Sequence, residues 1–251
     1  MIKRLWDHTM LNVNDLQHAI DWFEQRGLTF QLGGHHPQWQ TSNAVGYFGL
    51  NYIELLTTDQ ATNPGFGRDD ATSLYDAFET LPEYESFNTI GIRTNDIEAV
   101  HRSLADEFRV GRIMDGSRRT PAGELVTWRI FFVNQLVDGV AAPFFIEWPE
   151  SDSVRRYQLE QAGLLKNQLI GPVWVKSLQY DVQQPRVVAQ AFGRFFDQPI
   201  QQRHEAYRIQ LGDRQLDFVP GTANGITRLT FAGTGLMGHQ AQYGDAIFRF
   251  E

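Results

Sequence analysis

The chain contains no cysteine. That excludes disulfide staples, thiolate metal ligands and a cysteine nucleophile. It also lacks any apolar run near the ~18 residues that a membrane span needs. Basic clusters are equally scarce: the net charge is -8, the pI is near 5.4, and Arg118-Arg119 is about the densest basic pair. Nucleic acid and anionic membrane are therefore poor candidate partners. The opening Met1-Ile2-Lys3-Arg4-Leu5-Trp6-Asp7-His8 turns polar too early for a signal peptide, so a cytoplasmic location is expected.

What is present suits a folded protein. The 251 residues are 42% hydrophobic, 13% aromatic and 21% charged, enough for one large core or two ordinary ones. Leu5 to Val13 reads as a strand. Asn14-Asp15 then offers a helix cap, with Leu16, Ala19, Ile20 and Phe23 at helical spacing and Gly27 as the stop. Strands are expected at 28–32, 44–48 and 52–57. After a polar connector over 58–85 with a short helix around Leu74–Leu81, the unit returns. Phe87–Thr94 reads as a strand, and Asn95-Asp96 repeats the cap 81 residues after the first. Ile97, Val100 and Leu104 share a helical face, and strands are expected around 109–114, 125–134 and 143–148. A third copy follows a linker over 151–172. It has a strand at Trp174–Val182, a helix begun by Pro185 and striped by Val188, Ala191, Phe192 and Phe195, and strands near 207–211, 215–219 and 226–231. The remainder is too short for a whole fourth copy. Such repetition outweighs any local assignment.

The expected fold is therefore α+β, built of paired βαβββ modules with a third module and a truncated fourth. The expected division is 1–150 for the pair and 172–251 for the rest.

Strand-helix-three-strand modules used in pairs resemble the vicinal oxygen chelate superfamily. Asp7-His8, then Gly33-Gly34-x-His36-Pro37-x-x-x-Thr41-x-Asn43, then Tyr52-x-Glu54-Leu55 is similar to its glyoxalase-like domain group, as is Pro143-Phe144-Phe145-Ile146-Glu147-Trp148. The likeness spans roughly residues 4–149, with a looser echo from 174 onward. It implies a cup holding a small ligand or a metal. Superfamily members include lyases, ring-cleaving dioxygenases, resistance proteins and small-molecule binders. In metal-using members the ligands come from the first and last strands of both modules, where this chain has His8, Glu54, Thr89 and Glu147. Threonine replaces an imidazole at 89, and Gln40 stands where the group usually has glycine.

Three constellations carry the functional expectations. His8, Glu54 and Glu147 form a set suited to a divalent metal (Zn, Mn, Fe or Mg), with Glu54 or Glu147 moving a proton. The alternative is a metal-free network in which His8 bonds one carboxylate. His36, Trp39 and Asn43 sit in a stretch read as a loop over the cup mouth. There His36 is either an acid/base and substrate donor or the cap of a turn, while His35 faces solvent. Arg129, in an apolar strand, either grips a substrate carboxylate or pairs with Glu147 or Glu124. Tyr52 shares the face of Glu54 and joins the substrate-binding set. Gly233-Thr234-Gly235-Leu236-Met237-Gly238 matches a dinucleotide-loop spacing, but only 13 residues follow, too few for the helix, strand and acidic residue that this fold needs. In the third module Asp217 stands for the glutamate and Ser177 for the histidine, so that module is expected to serve as scaffold or as a homodimer surface. The leading functional expectation is a glyoxalase-like enzyme of lyase, isomerase or dioxygenase type acting on a small oxygen-rich metabolite. The other is a metal-free small-ligand binding or sequestration protein.

Overall fold

The computed structural model of the protein describes residues 2–58, 67, 69, 71, 75, 85–233 and 238–251. The helix expected around Leu74–Leu81 lies outside the described residues apart from Tyr75, as does the middle of the glycine-rich 233–238 loop.

The first module runs β1 (Leu5–Asn12), α1 (Leu16–Glu24), β2 (Gln31–His36), β3 (Thr41–Phe48) and β4 (Asn51–Thr58). The second repeats it as β5 (Phe87–Thr94), α2 (Ile97–Ala105), β6 (Met114–Arg119), β7 (Leu125–Phe132) and β10 (Phe144–Glu147). A small hairpin, β8 (Leu136–Val137) and β9 (Val140–Ala141), is inserted before β10. Both helices start as their sequences dictate. Asp15 accepts from the His18 backbone N–H at 2.9 Å, and Asp96 accepts from that of Ala99 at 3.0 Å. Each module buries its helical stripe against the outside of its own sheet: Ala19, Ile20 and Phe23 in one, Ile97, Val100 and Leu104 in the other.

The cup is closed. Its eight strands run β1-β4-β3-β2-β6-β7-β10-β5 around a barrel. β1 pairs parallel with β4 and antiparallel with β5, and β5 pairs parallel with β10, so the second module repeats the first across the β1–β5 seam. The opposite seam is thin: β2 meets β6 through the single pair His35 and Arg119. Gly34 makes that approach feasible. It sits at φ +137°, and a Cβ there would lie 2.2 Å from the Arg119 carbonyl oxygen.

Two expectations shift. The Gly33–His36 stretch is not a free loop; it is the end of β2, joined to β3 by a turn over 37–40. Gln40 closes that turn at φ +51°, a backbone region that favours glycine. The strand expected at 109–114 begins at Met114 instead and runs to Arg119.

The linker over 151–172 holds a helix, α3 (Asp152–Gln161). The third module then gives β11 (Trp174–Val182), α4 (Pro185–Phe196), β12 (Ile200–Arg203), β13 (Ala206–Leu211) and β14 (Arg214–Pro220). Three further strands, β15 (Gly225–Ala232), β16 (His239–Tyr243) and β17 (Ala246–Phe250), complete a seven-stranded sheet ordered β12-β13-β14-β11-β15-β17-β16. That order is the barrel's cyclic order with the counterpart of β6 removed, so the second sheet is an opened barrel. One hydrophobic core joins the two: Trp22 and Phe23 of α1 meet Tyr243 and Phe248, and Phe108 meets Phe195. The barrel interior is packed separately, around Met10, Trp39, Trp128, Ile130 and Trp148. No helix among the described residues is long and apolar enough to cross a membrane.

Candidate functional site

The barrel encloses a cavity of about 60 Å³. Its two halves differ in kind. The first module supplies the polar half, with His8, His36, Thr41, Asn43, Tyr52 and Glu54. The second supplies an apolar wall, with Trp128, Ile130, Phe132, Phe144 and Trp148.

His8 is the centre of the polar half. Its Nε2 faces Glu54 Oε2 at 3.4 Å, and its Nδ1 lies 2.8 Å from Asp7 Oδ1. The ring stacks on Tyr52, with centroids 4.5 Å apart, and meets Phe144 edge-on. On its far side only a glycine fits, because a Cβ at Gly91 would come 2.5 Å from the imidazole. Register irregularities between Trp6 and His8, and between Thr9 and Leu11, mark β1 on either side of the ring.

The charge on this ring follows from its neighbours. Burial alone would depress the His8 pKa, but the Asp7 and Glu54 carboxylates outweigh it and push the value up to about 9. Burial would raise Glu54, yet the His8 hydrogen bond and charge hold it near 2. Asp7 is drawn well below the carboxylate range: burial opposes this, and the His8 bond with the Arg93 charge prevails. At neutral pH the site therefore presents an imidazolium flanked by two carboxylates. Asn43 donates to Glu54 Oε1 at 2.6 Å and fixes that carboxylate.

Further polar groups hold Asp7 from behind. Arg93 NH1 donates to Asp7 Oδ2 at 2.8 Å, and its Nε pairs with Asp152 Oδ1 at 2.9 Å. The Trp148 indole N–H also donates to Asp7, at 3.3 Å, and the Arg155 guanidinium covers that indole 3.5 Å from the ring centroid. Asp152 and Arg155 both belong to α3.

His36 is buried where the hairpin ends inside the barrel. Its Nδ1 lies 2.9 Å from Thr41 Oγ1, and its ring meets Trp128 and Trp39 edge-on. Trp39 lines the cavity with it, while His35 on the opposite face is exposed.

Glu147 and Arg129 do not reach this cavity. On β10 the inward residues are Phe144 and Ile146, followed by Trp148, so Glu147 points out with Phe145. Its Oε1 accepts from the Ile97 backbone N–H at the start of α2, and its Oε2 accepts from Arg129 Nε at 2.9 Å. Arg129 lies between the inward Trp128 and Ile130 and also pairs with Glu98. The expected convergence of Glu54 with Glu147 therefore fails. Register explains the failure: Glu54 lies beside Met10 on β1, whereas Glu147 lies beside Thr94 on β5, and a one-residue slip changes the face. Thr89 donates its hydroxyl to the Ala142 carbonyl at 3.0 Å, satisfied by backbone.

These positions decide how well a metal would fit. A site of the superfamily type takes donors from both modules, but among the described residues only the first contributes them, as His8 and Glu54. Both His8 nitrogens already face carboxylates. Among the described residues no three His, Asp or Glu side chains gather as a metal cluster. The donor set does not fit the expected ion, and the set His8, Glu54 and Glu147 is divided by the barrel wall.

Residues outside the expected set also line the cavity, chiefly Tyr47, Trp128, Trp148 and Arg118. The alternation of Trp128, Ile130 and Phe132 along one strand was the available signal for the aromatic wall. Nothing in the polar run of β6 singled out Arg118.

The family described as "Glyoxalase-like domain" matches residues 6–196. No curated protein matches the sequence. Among solved structures, a hypothetical protein from Staphylococcus aureus is similar over 100% of this chain and 99% of its own, with TM-score 0.82 and 23% identity. A Mn(II)-bound glyoxalase from Novosphingobium aromaticivorans is similar over 100% of this chain and 82% of its own, with TM-score 0.59 and 8% identity. A triple mutant of 4-hydroxymandelate synthase from Streptomyces coelicolor is similar over 93% of this chain and 72% of its own, with TM-score 0.53 and 12% identity. At such identities the structural likeness establishes the fold alone. With the paired modules, the closed barrel and the family match over residues 6–196 together, the chain belongs to the glyoxalase-like domain family of the vicinal oxygen chelate superfamily.

Proposed function

We propose that the barrel is the active site of a small-molecule enzyme that moves a proton beside an oxygen-bearing carbon, in the manner of an isomerase or lyase, without a metal. The observation that carries this reading is the buried His8–Glu54 pair facing a small, mostly aromatic cavity. At 3.4 Å the two groups stand farther apart than a tight charge-assisted bond, leaving room for a ligand to part them.

Insertion of a substrate changes both groups. Once separated from His8, Glu54 loses the contact that holds its pKa down, and burial then raises it toward a useful base. In the proposed step Glu54 takes the proton of the C–H next to a carbonyl. The bonding pair forms C=C, and the carbonyl oxygen receives the Nε2 proton of His8, giving a neutral enol. Where the deprotonated carbon carries a hydroxyl, Glu54 returns the proton to the former carbonyl carbon, that hydroxyl gives its own proton back to His8 Nε2 and becomes the new C=O, and the isomerisation is complete. Asp7, anchored by Arg93 and Trp148, keeps the imidazole oriented throughout. Trp39, Asn43 and Tyr52 bound the ligand, and His36 lines the cavity with them. A dioxygenase would need a redox-active centre that this donor set does not fit. The acidic, cysteine-free composition favours the cytoplasm as the working compartment.

The second reading is a binding or sequestration protein of the same fold. It is favoured by the low Glu54 pKa in the ligand-free barrel, which makes that carboxylate a weak base. The two separate in D₂O. A panel of small hydroxy- and oxo-compounds is screened for binding, and C–H exchange of each bound compound is followed by NMR. The proton-transfer reading predicts exchange with the native protein and its loss in His8→Gln and Glu54→Gln. Compounds that bind the native protein with no exchange would leave the binding reading in its place.

A further inference from the structure

We infer that the ligand of this barrel is a small organic carboxylate, of the 2-hydroxy or 2-oxo acid kind, and that Arg118 is the residue that selects it. The inference rests on the proton-transfer reading of the same cavity and names its substrate class.

The argument begins with charge. Among the ionised groups lining the cavity, the His8 imidazolium and the Glu54 carboxylate cancel. Asp7, behind His8, is matched by Arg93. His36, in either protonation state, adds no negative charge. Arg118 is what remains, and no carboxylate among the described residues pairs with it. Its Nη1 donates to the Gly33 carbonyl oxygen, which anchors the guanidinium, and no other acceptor among the described residues takes its remaining donors. Two other arginines of the barrel strands are matched, Arg93 with Asp7 and Asp152 and Arg129 with Glu98 and Glu147, while Arg155 is spent on the Trp148 ring and Arg119 faces outward. A cation lining a cavity with no carboxylate partner among the described residues is notable in a chain of net charge -8.

Position supports the same conclusion. Arg118 lies on β6 at the thin seam with β2, part-exposed, and Gln38 of the turn over 37–40 donates to the neighbouring Ser117 carbonyl at 2.9 Å. It therefore stands at the solvent end of the cavity, and the His8–Glu54 pair stands inside. A carboxylate held by the guanidinium fork points the rest of a short molecule inward. Its 2-oxygen then meets His8 Nε2–H, and its C–H meets Glu54. The small volume of about 60 Å³ favours an acid of few heavy atoms over a bulky one.

The test compares small acids with uncharged molecules of similar shape: glycolate, lactate and pyruvate against ethylene glycol, 1,2-propanediol and hydroxyacetone. Affinity is measured by calorimetry for the native protein, Arg118→Met, Arg118→Lys and Arg119→Met. Arg119 is the control, an exposed neighbour on the outer face. The acids should bind the native protein at least about tenfold more tightly than the neutral molecules, and Arg118→Met should erase that preference. Arg118→Lys should keep part of it, and Arg119→Met all of it. Neutral molecules binding as well as the acids, no binding by any acid, or an undiminished preference in Arg118→Met would each overturn the inference. The native comparison stands alone if Arg118→Met does not fold. Arg118-dependent binding of an acid without C–H exchange would uphold this inference and defeat the proton-transfer reading.

Discussion

At the scale of single residues, the site is a matter of how one imidazole is surrounded. His8 has its pKa raised from 6.5 to about 9, so its stabilising contribution is complete below pH 6.5 and is lost as pH rises toward 9. Glu54 has its pKa lowered from 4.5 to about 2, so its contribution is complete above pH 4.5 and is lost as pH falls toward 2. Stability from the pair should thus plateau between those limits, and thermal melts across pH should show both limbs in the native protein. Glu54→Gln should flatten them, and should cost about 3 kcal/mol at pH 6 by leaving a buried imidazolium half-paired. Glu147→Gln, on the barrel exterior, should cost less than about 1 kcal/mol. Equal losses in the two would contradict the placement. Gly91→Ala should destabilise by about 1–3 kcal/mol by pressing a methyl on the His8 ring. Asp7, His8 and Glu54 were legible in the sequence because ionisable groups inside apolar strand runs demand partners. Glu147 and Arg129 were misplaced because face parity depends on register and bulges, which sequence alternation does not reveal.

At the scale of elements, α3 shows what the sequence concealed. Its buried residues are only Arg155 and Leu159, so no apolar stripe announced a helix in what read as linker. The structure uses it to cap one end of the barrel, with Asp152 on Arg93 and Arg155 on Trp148. Arg155→Ala should cost about 1–2 kcal/mol and alter the near-ultraviolet circular dichroism. In a Trp148→Phe background that spectral change should disappear, and its persistence would show that Arg155 acts elsewhere. β6 was hidden for a related reason. Asp115-Gly116-Ser117-Arg118-Arg119 offers no alternation of apolar residues, because this strand closes the polar seam of the barrel. The two capped helices, by contrast, were readable from Asp15 and Asp96, whose short side chains satisfy helix N-termini in any context.

At the scale of the molecule, the module repeat was legible and the closure was not. Repeated caps and stripes gave the units, but whether a sheet meets itself depends on strands far apart in sequence, such as β2 and β6. The second sheet keeps seven strands of the same order and stays open. Its apolar face shares a core with the outside of the barrel through pairs such as Phe48 with Phe231, and its helix α4 joins that core through Phe195 against Phe145. The two sheets should therefore melt together. Tryptophan fluorescence, which reports mainly on the barrel, and far-ultraviolet circular dichroism, which reports on both, should give one coincident transition. Two separated transitions would show that each sheet is stable alone.

The most direct measurement is C–H exchange in D₂O on a small acid that binds the native protein, made before and after exhaustive removal of metal with a chelator. A first-module site working through His8 and Glu54 predicts the same exchange rate in both preparations and none in Glu54→Gln. Exchange that vanishes with chelation and returns on addition of Mn(II) would contradict the account.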